Sequence, residues 1–173
     1  ACIDGLMGLD EEGNITGAIA EKYDVSVDQK TYTFHLRENA NWANGDPVTA
    51  DDFIYAWQRI LKNNGNYANM LGSDAASIKG VDEILAKMGS QKELTDDDFA
   101  NMGVTAKDDK TLVVELTKPV SYFDELMTFP CYYPINQKFC EEKGDQYAKS
   151  AANVLSNGAF VMTDWQPGKQ ATF

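Results

Sequence analysis

The chain has 173 residues, of which 43% are hydrophobic and 24% are charged, a balance typical of a folded domain rather than of a disordered segment. The 15 Lys and Arg residues against 27 Asp and Glu residues give a formal net charge of −12. This charge argues against binding to nucleic-acid phosphates or to an anionic membrane surface. No apolar stretch approaches the roughly 18 residues of a membrane span, and no signal peptide opens the chain. Because the sequence starts in strand-and-turn text and stops at "GKQATF", we expect both ends to be cut from a longer fold.

The first third of the chain predicts a turn followed by a strand. A charged cluster with Gly13 and Asn14 separates two apolar runs, which is typical of turn chemistry. In "KTYTFHLR" apolar and polar residues then alternate, and this period of two predicts a half-buried strand. Its apolar face is formed by Tyr32, Phe34 and Leu36.

The strongest helix prediction begins after Thr49, a residue type suited to capping a helix N-terminus. Asp51 and Asp52 lie in the first turn, where the helix dipole favours negative charge. Apolar residues then recur at helical spacing and form one stripe, which consists of Phe53, Ile54, Trp57, Ile60 and Leu61.

The rest of the chain mixes short helices and strands without regular alternation, which favours the α+β class with mixed, mostly antiparallel strands. Strands are expected at "TLVVELT" and at "NGAFVMTDW", the second opened by Asn157 and Gly158. Four short helices are expected: "VDEILAKMG" and "TDDDFANMG", closed by Gly89 and Gly103, "SYFDELMTF", capped by Ser121, and "PINQKFCEEKG", running from Pro134 to Gly144.

One long block, "TYTFHLRENANWANGDPVTADDFIYAWQRIL", resembles the characteristic region of the family 5 extracellular solute-binding proteins. That group includes the oligopeptide-binding proteins of ATP-driven importers. Three further blocks resemble the family in the same order: "GVTAKDDKTLVVELTKPVSYF", "FPCYYPINQKF" and "NVLSNGAFVMTDWQPG". Four blocks over nearly the whole chain are a more specific signal than one short motif. The chain departs from the pattern at Ala159, where the family often has proline.

The resemblance implies a non-catalytic binding protein without a cofactor. Its parent would be a monomer that captures oligopeptides outside the cytoplasmic membrane and passes them to the permease of an ABC importer. The parent would be periplasmic or a cell-surface lipoprotein whose lipid-bearing cysteine lies outside this chain. Residues 1–155 would form the smaller domain of a two-lobed fold, and residues 156–173 would begin the return strands to the first lobe.

Other ligands and another role also fit the resemblance. Relatives bind dipeptides, nickel complexes, opines or oligosaccharides, although the intact middle segment favours the oligopeptide branch. A sensory or regulatory protein that reuses the same fold is the alternative from a different functional class. The regions flanking this segment would separate the two: a lipoprotein signal favours transport, and a helix-turn-helix domain favours regulation.

Tyr67 is the candidate ligand-binding residue, because the matching tyrosine in the oligopeptide-binding group reaches the peptide cleft. An amphipathic ring suits a cavity that accepts many side chains; the alternative is a tyrosine packed at a helix end. The residues of the resembling blocks are expected to act in folding, as core anchors, turn residues or caps. They are Trp42, Gly45, Pro47, Thr49, Trp57, Asn157 and Gly158.

The residues that could in principle take part in catalysis or bind a metal are expected to have structural roles instead. His35 would need a nucleophile or an orienting carboxylate beside it for catalysis, but it lies on the polar face of the predicted strand. Since the resemblance implies a non-catalytic family, His35 is expected at a surface or interface. The acidic run of residues 96–98 lacks the alternate spacing of a calcium loop and fits a helix start. Cys131 and Cys140 could form a bridge or a metal pair, but an odd, sparse set of three cysteines favours free thiols at Cys2, Cys131 and Cys140.

Overall fold

The computed structural model describes residues 2–63, 65–90 and 93–173, and it confirms the α+β class. Within these ranges no helix is long and apolar enough to cross a membrane. The strands are β1 (Met7–Leu9), β2 (Ile15–Gly17), β3 (Ala20–Val25), β4 (Thr31–Leu36), β5 (Val104–Asp108), β6 (Thr111–Glu115), β7 (Asp164–Gln166) and β8 (Gln170–Thr172). The α-helices are α1 (Ala50–Lys62), α2 (Val81–Gly89), α3 (Asp96–Phe99), α4 (Phe123–Leu126) and α5 (Gln137–Lys143).

A four-stranded antiparallel sheet in the order β3-β4-β6-β5 forms the centre of the fold. In β4 the predicted alternation is confirmed, since Tyr32, Phe34 and Leu36 are buried while the residues between them are partly exposed. Phe34 lies opposite Leu112 of β6, and both are fully buried. Two separate hairpins, β1–β2 and β7–β8, flank this sheet in sequence.

An aromatic cluster joins the sheet to α4. The Tyr32 and Phe123 ring centroids are 4.5 Å apart, and those of Tyr23 and Phe34 are 5.5 Å apart. Tyr23 Oη donates a hydrogen bond of 2.9 Å to Asp124 Oδ2. Burial, together with this carboxylate, raises the pKa of Tyr23 to about 12, so the phenol remains a hydrogen-bond donor throughout the neutral range. The cluster therefore holds α4 firmly against the sheet.

Helix α1 begins as predicted after Thr49, whose backbone N–H donates to Asp52 Oδ2 at 2.9 Å. The same oxygen accepts a hydrogen bond of 2.9 Å from Trp42 Nε1, and both Trp42 and Asp52 are buried. Asp52 thus links the turn before the helix to the helix itself. Burial outweighs these hydrogen bonds and raises the pKa of the Asp52 carboxyl, because a buried charge is poorly solvated.

We expect this raised pKa to appear as a pH-dependent cost in stability. The folded protein holds the Asp52 proton to higher pH than the unfolded chain does, so the contribution of Asp52 to the free energy of unfolding falls as pH rises from about 3.8 through the folded pKa. Asparagine has no such titration. The free energy of unfolding of the wild type minus that of Asp52→Asn should therefore decrease over this window and then level off. Urea unfolding at a series of pH values measures it, with Asp51→Asn as the control for loss of first-turn charge; a difference that grows with pH would contradict the assignment.

The expected strand at "NGAFVMTDW" is wrong for residues 157–163, because only Asp164–Gln166 forms a strand there. The backbone N–H groups of Asn157 and Gly158 both donate to the carbonyl of Cys2 at 3.1 Å. The segment therefore attaches to the start of the chain rather than entering a ladder. Phe160 and Val161, which suggested the strand, are 57% and 50% exposed.

Several predicted helix ends also need correction. The helix placed from Pro134 begins at Gln137, because Asn136 Oδ1 accepts a hydrogen bond of 2.8 Å from the Phe139 N–H and so caps α5. Helix α4 begins at Phe123 with Tyr122 before it, and Ser121 does not cap it.

Glycine placement explains two further differences at helix ends. Helix α3 ends at Phe99, well before Gly103, whose N–H instead donates to the carbonyl of Lys79. Gly89 is the last residue of α2 rather than the residue that follows it.

Candidate functional site

Tyr67 lies just after α1, at the start of a 3₁₀ turn formed by Ala68–Leu71. The turn is anchored by the buried side chains of Ala68 and Leu71, and the Tyr67 carbonyl accepts a hydrogen bond of 3.0 Å from the Met70 N–H. The Tyr67 side chain, in contrast, is 55% exposed. A fixed backbone thus presents a large amphipathic ring at the surface.

Phe129 faces Tyr67, and sequence reasoning did not single it out. The two ring centroids are 6.2 Å apart and the rings are inclined at 70°, an edge-to-face arrangement that aromatic pairs favour. Phe129 is 46% exposed and directly precedes the 3₁₀ turn of Pro130–Tyr132. We call Tyr67 and Phe129 the aromatic wall. The one sequence signal for Phe129 was its place beside the proline of the "FPCYY" block.

A surface groove of about 520 Å³ begins at Phe129, and we call it the apolar groove. Hairpin β1–β2 supplies one side of the groove, and the segment around α4 supplies most of the other. A single charged side chain, Glu125, borders it. The lining residues are Leu9, Gly13, Ile15, Met70, Tyr122, Glu125, Leu126, Thr128 and Phe129.

Buried residues behind the aromatic wall fix its position. Tyr132 is fully buried and its hydroxyl donates to the Met70 carbonyl, which ties the turn after Phe129 to the turn after Tyr67. Trp57 Nε1 in turn donates a hydrogen bond of 3.0 Å to the Tyr132 carbonyl. Burial raises the pKa of the Tyr132 phenol, so it remains a donor at any physiological pH. The wall is therefore preformed, as ligand sites usually are.

The other residues of the family-like blocks do not form part of the exposed aromatic wall. Trp42 and Trp57 are buried, and Thr49 precedes α1. Gly45 has φ +92° in a turn with open space around it, a backbone conformation that favours glycine. Pro47, after this turn, forms an isolated antiparallel β-bridge with Asn41.

Asn157 and Gly158 also lie apart from the wall. Asn157 Oδ1 accepts a hydrogen bond of 2.8 Å from the Asp4 N–H, and Asn157 Nδ2 donates to the Asp4 carbonyl at 3.1 Å. This reciprocal pair, with the Gly158 N–H on the Cys2 carbonyl, joins the start of the described chain to the segment that precedes the β7–β8 hairpin.

Residues with reactive side chains do not converge on the wall. His35 pairs with Asp24 at 2.8 Å on the central sheet. All three cysteines are free, and burial raises the pKa of the Cys131 thiol to about 11, which leaves it protonated and unreactive at neutral pH. In the part of the chain that the structure describes, no three His, Cys, Asp or Glu side chains are placed to hold a metal ion.

A family model described as bacterial extracellular solute-binding proteins, family 5 Middle, matches residues 14–173. The chain belongs to this family. The chain is 40% identical over 164 residues to the periplasmic oligopeptide-binding protein OppA of Salmonella typhimurium, and the match covers 94% of the chain. It is 41% identical over 165 residues to the dipeptide-binding protein DppE of Bacillus subtilis, and this match covers 95% of the chain.

The family 5 fold also matches solved structures. Listeria monocytogenes OppA bound to peptide superimposes with a TM-score of 0.82 at 39% identity, covering 95% of this chain and 30% of that one. The chain spans 28% of the length of both the Salmonella and the Bacillus relatives. Family membership thus describes a segment equivalent to less than a third of those proteins.

Proposed function

We propose that this family 5 segment belongs to a longer receptor that captures peptides outside the cytoplasmic membrane and delivers them to the permease of an ABC importer. The matched relatives support this proposal by name, as oligopeptide- and dipeptide-binding proteins, and the Listeria relative was solved with peptide bound. The receptor would be extracytoplasmic, periplasmic or lipid-anchored, and monomeric. It would hold its ligand without catalysis.

The observation that carries the proposal is the exposed aromatic wall. Two large rings, Tyr67 and Phe129, are about half exposed although neither is needed to fill the core. Peptides of varied sequence offer apolar side chains and backbone hydrogen-bonding groups, and an aromatic ring with a polar tip can contact both. The Tyr67 side chain is 55% exposed, so its hydroxyl is accessible to a ligand.

We further propose that residues 1–155 form the smaller domain of the receptor and that residues 156–173 begin its connection to the first lobe. In support, the buried core ends with Leu155 and Ser156, and every residue of β7 and β8 is exposed. A two-stranded hairpin that buries neither face is only marginally stable by itself. We therefore expect further structure of the receptor to cover it. The aromatic wall would then form one side of a cleft that closes over the peptide.

The thermal midpoint of the longer receptor with a mixed oligopeptide library tests the proposed function, with this segment alone in parallel. A ligand at about a hundred times its dissociation constant stabilises the bound state by roughly 2.7 kcal/mol. The receptor should shift to higher temperature and the segment should not, because the segment holds only one wall. A receptor that fails to shift would overturn the peptide assignment, and oligosaccharides and metal complexes would be the next libraries.

Replacing Tyr67 by alanine should weaken peptide binding to the receptor by at least about fivefold, since an aromatic contact contributes roughly 1 kcal/mol beyond its buried area. Tyr67→Phe keeps the ring and should retain most of the affinity. Titration calorimetry with one well-bound peptide measures both variants, and their thermal midpoints without peptide should stay near the wild type because the side chain is exposed. Equal affinity for Tyr67→Ala and wild type would remove Tyr67 from the site.

A further inference from the structure

We propose that the apolar groove receives one apolar side chain of the bound peptide and that Glu125 binds a positive charge next to that side chain. This inference rests on the proposed function and names the class of peptide that the receptor prefers. The groove adjoins the aromatic wall, since Phe129 both lines the groove and contacts Tyr67. A peptide lying on the wall would therefore have a side chain within reach of the groove.

The side of the groove formed by hairpin β1–β2 presents two apolar side chains, Leu9 and Ile15, of which Ile15 also packs against the core. Leu9 of β1 and Ile15 of β2 are directly opposite each other in the antiparallel pair, so both side chains lie on the same face. Leu9 is nonetheless 61% exposed. The exposed Leu9 extends the partly buried Ile15 into a continuous apolar surface, and exposed apolar patches of this kind mark ligand-binding grooves.

The turn between these strands is held in one conformation, so the groove does not have to be assembled by the ligand. Asp10 Oδ1 accepts hydrogen bonds from the backbone N–H groups of Glu12 and Asn14 at 2.9 and 2.8 Å. Gly13, at φ +86°, completes the turn and lines the groove. Preformed apolar concavities bind more tightly than surfaces that must first become ordered.

The opposite side comes from α4, on which two adjacent carboxylates have different surroundings. Asp124 accepts a hydrogen bond of 2.9 Å from the Tyr23 hydroxyl, so it has a structural partner. Glu125 is exposed and lines the groove, and no Lys, Arg or His of residues 2–63, 65–90 or 93–173 forms an ion pair with it. A lone carboxylate at the rim of an apolar concavity attracts a cation that sits beside an apolar group.

The ligand chemistry is therefore an apolar side chain of leucine or phenylalanine size with a neighbouring ammonium or guanidinium group. That cation is either the peptide N-terminus or an adjacent Lys or Arg side chain. Because this segment carries a net charge of −12, its surface also favours the approach of cationic peptides. Acidic peptides of the same length should bind more weakly.

The test uses the full-length receptor and a positional set of alanine tetrapeptides carrying one phenylalanine, with affinities measured by titration calorimetry. At one position phenylalanine should improve the affinity over alanine by about ten- to hundredfold, the factor for burying a large apolar side chain. Leu9→Ser should remove most of this preference while binding of the all-alanine peptide is retained. Tyr122→Ser, at a second exposed lining residue, serves the same purpose should Leu9→Ser lower the thermal midpoint.

Glu125→Gln should weaken binding of the preferred peptide by about two- to fivefold. The matched control is Glu38→Gln, which removes the same charge from an exposed residue in a different cleft and should leave the affinity unchanged. N-acetylation of the peptide identifies the source of the cation: if it reproduces the loss, Glu125 binds the N-terminus, and if only replacing an adjacent lysine does so, it binds the side chain.

The inference and the proposed function fail differently. A receptor that binds the peptide library but shows no preference for phenylalanine, or keeps that preference in Leu9→Ser and Tyr122→Ser, contradicts the groove assignment alone. Equal losses in Glu125→Gln and Glu38→Gln contradict the role of Glu125. A receptor that binds no peptide contradicts both.

Discussion

Replacing Trp57 by alanine should lower the free energy of unfolding by about 3–5 kcal/mol, the usual cost of truncating a large buried aromatic residue. Trp57 is fully buried and packs edge-to-face on Tyr132, with ring centroids 5.9 Å apart. The substitution leaves a cavity and also deprives the Tyr132 carbonyl of its donor, and an unsatisfied buried acceptor is costly in itself. Since a domain of this size is stable by about 5–15 kcal/mol in all, much of its stability is at risk.

Urea unfolding followed by circular dichroism measures the loss. Trp165→Ala is the matched control, because Trp165 lies in the exposed β7–β8 hairpin and is itself 37% exposed; it should cost less than about 1 kcal/mol. Trp57→Phe keeps much of the volume but cannot donate a hydrogen bond, and should fall between the two. Similar losses for Trp57→Ala and Trp165→Ala would contradict the assignment of Trp57 as the anchor behind the aromatic wall.

Gly80→Ala should be nearly as damaging, at about 2–5 kcal/mol. Gly80 precedes α2 with φ +78°, where a residue with a Cβ is disfavoured by roughly 1–2 kcal/mol. A Cβ there would also overlap the carbonyl group of Asn101, with 2.9 Å to its carbon atom. Because the Asn101 carbonyl belongs to the backbone, it cannot rotate away as a side chain could. Overpacking of this kind adds about 1–3 kcal/mol to the loss in free energy of unfolding.

Gly45→Ala separates the two contributions. Gly45 has φ +92° but no atom within 4 Å of the position of a Cβ, so only the conformational cost of about 1–2 kcal/mol remains. Denaturant unfolding of both variants gives the comparison. Equal losses at the two positions would mean that the loop carrying Asn101 can move aside, and that the approach of Gly80 to this loop is not rigid.

The parts of the fold that sequence predicts well are those determined by local chemistry. Strand β4 follows from its alternation, and α1 follows from Thr49, its acidic first turn and its apolar stripe. Residues 157–163 show the opposite case. Phe160 and Val161 have strand-like side chains, but their strand would need a partner, and the backbone of Asn157 and Gly158 bonds to Cys2 instead. No local pattern reveals a contact between residues so far apart in the chain.

The candidate site divides in the same way. Tyr67 could be singled out because it follows the family-like helix, and it remains a proposed ligand contact. Phe129 and Leu9 could not, since each looks like an ordinary core residue in sequence. They become site residues only because three segments distant in sequence (the β1–β2 hairpin, the turn after α1 and the region of α4) meet at one surface. Position in space, not residue type, distinguishes an exposed phenylalanine from a buried one.

The β7–β8 hairpin has a consequence for handling this segment in isolation. It is two strands wide, and within the described part of the chain no third strand pairs with either side, so each outer edge offers unsatisfied N–H and C=O groups. Large apolar side chains stand close by in sequence, with Phe160 57% and Phe173 55% exposed. Open edges beside apolar groups are templates for strand addition between molecules. Mutual repulsion from the net charge of −12 opposes that association, and added salt would weaken this protection by screening.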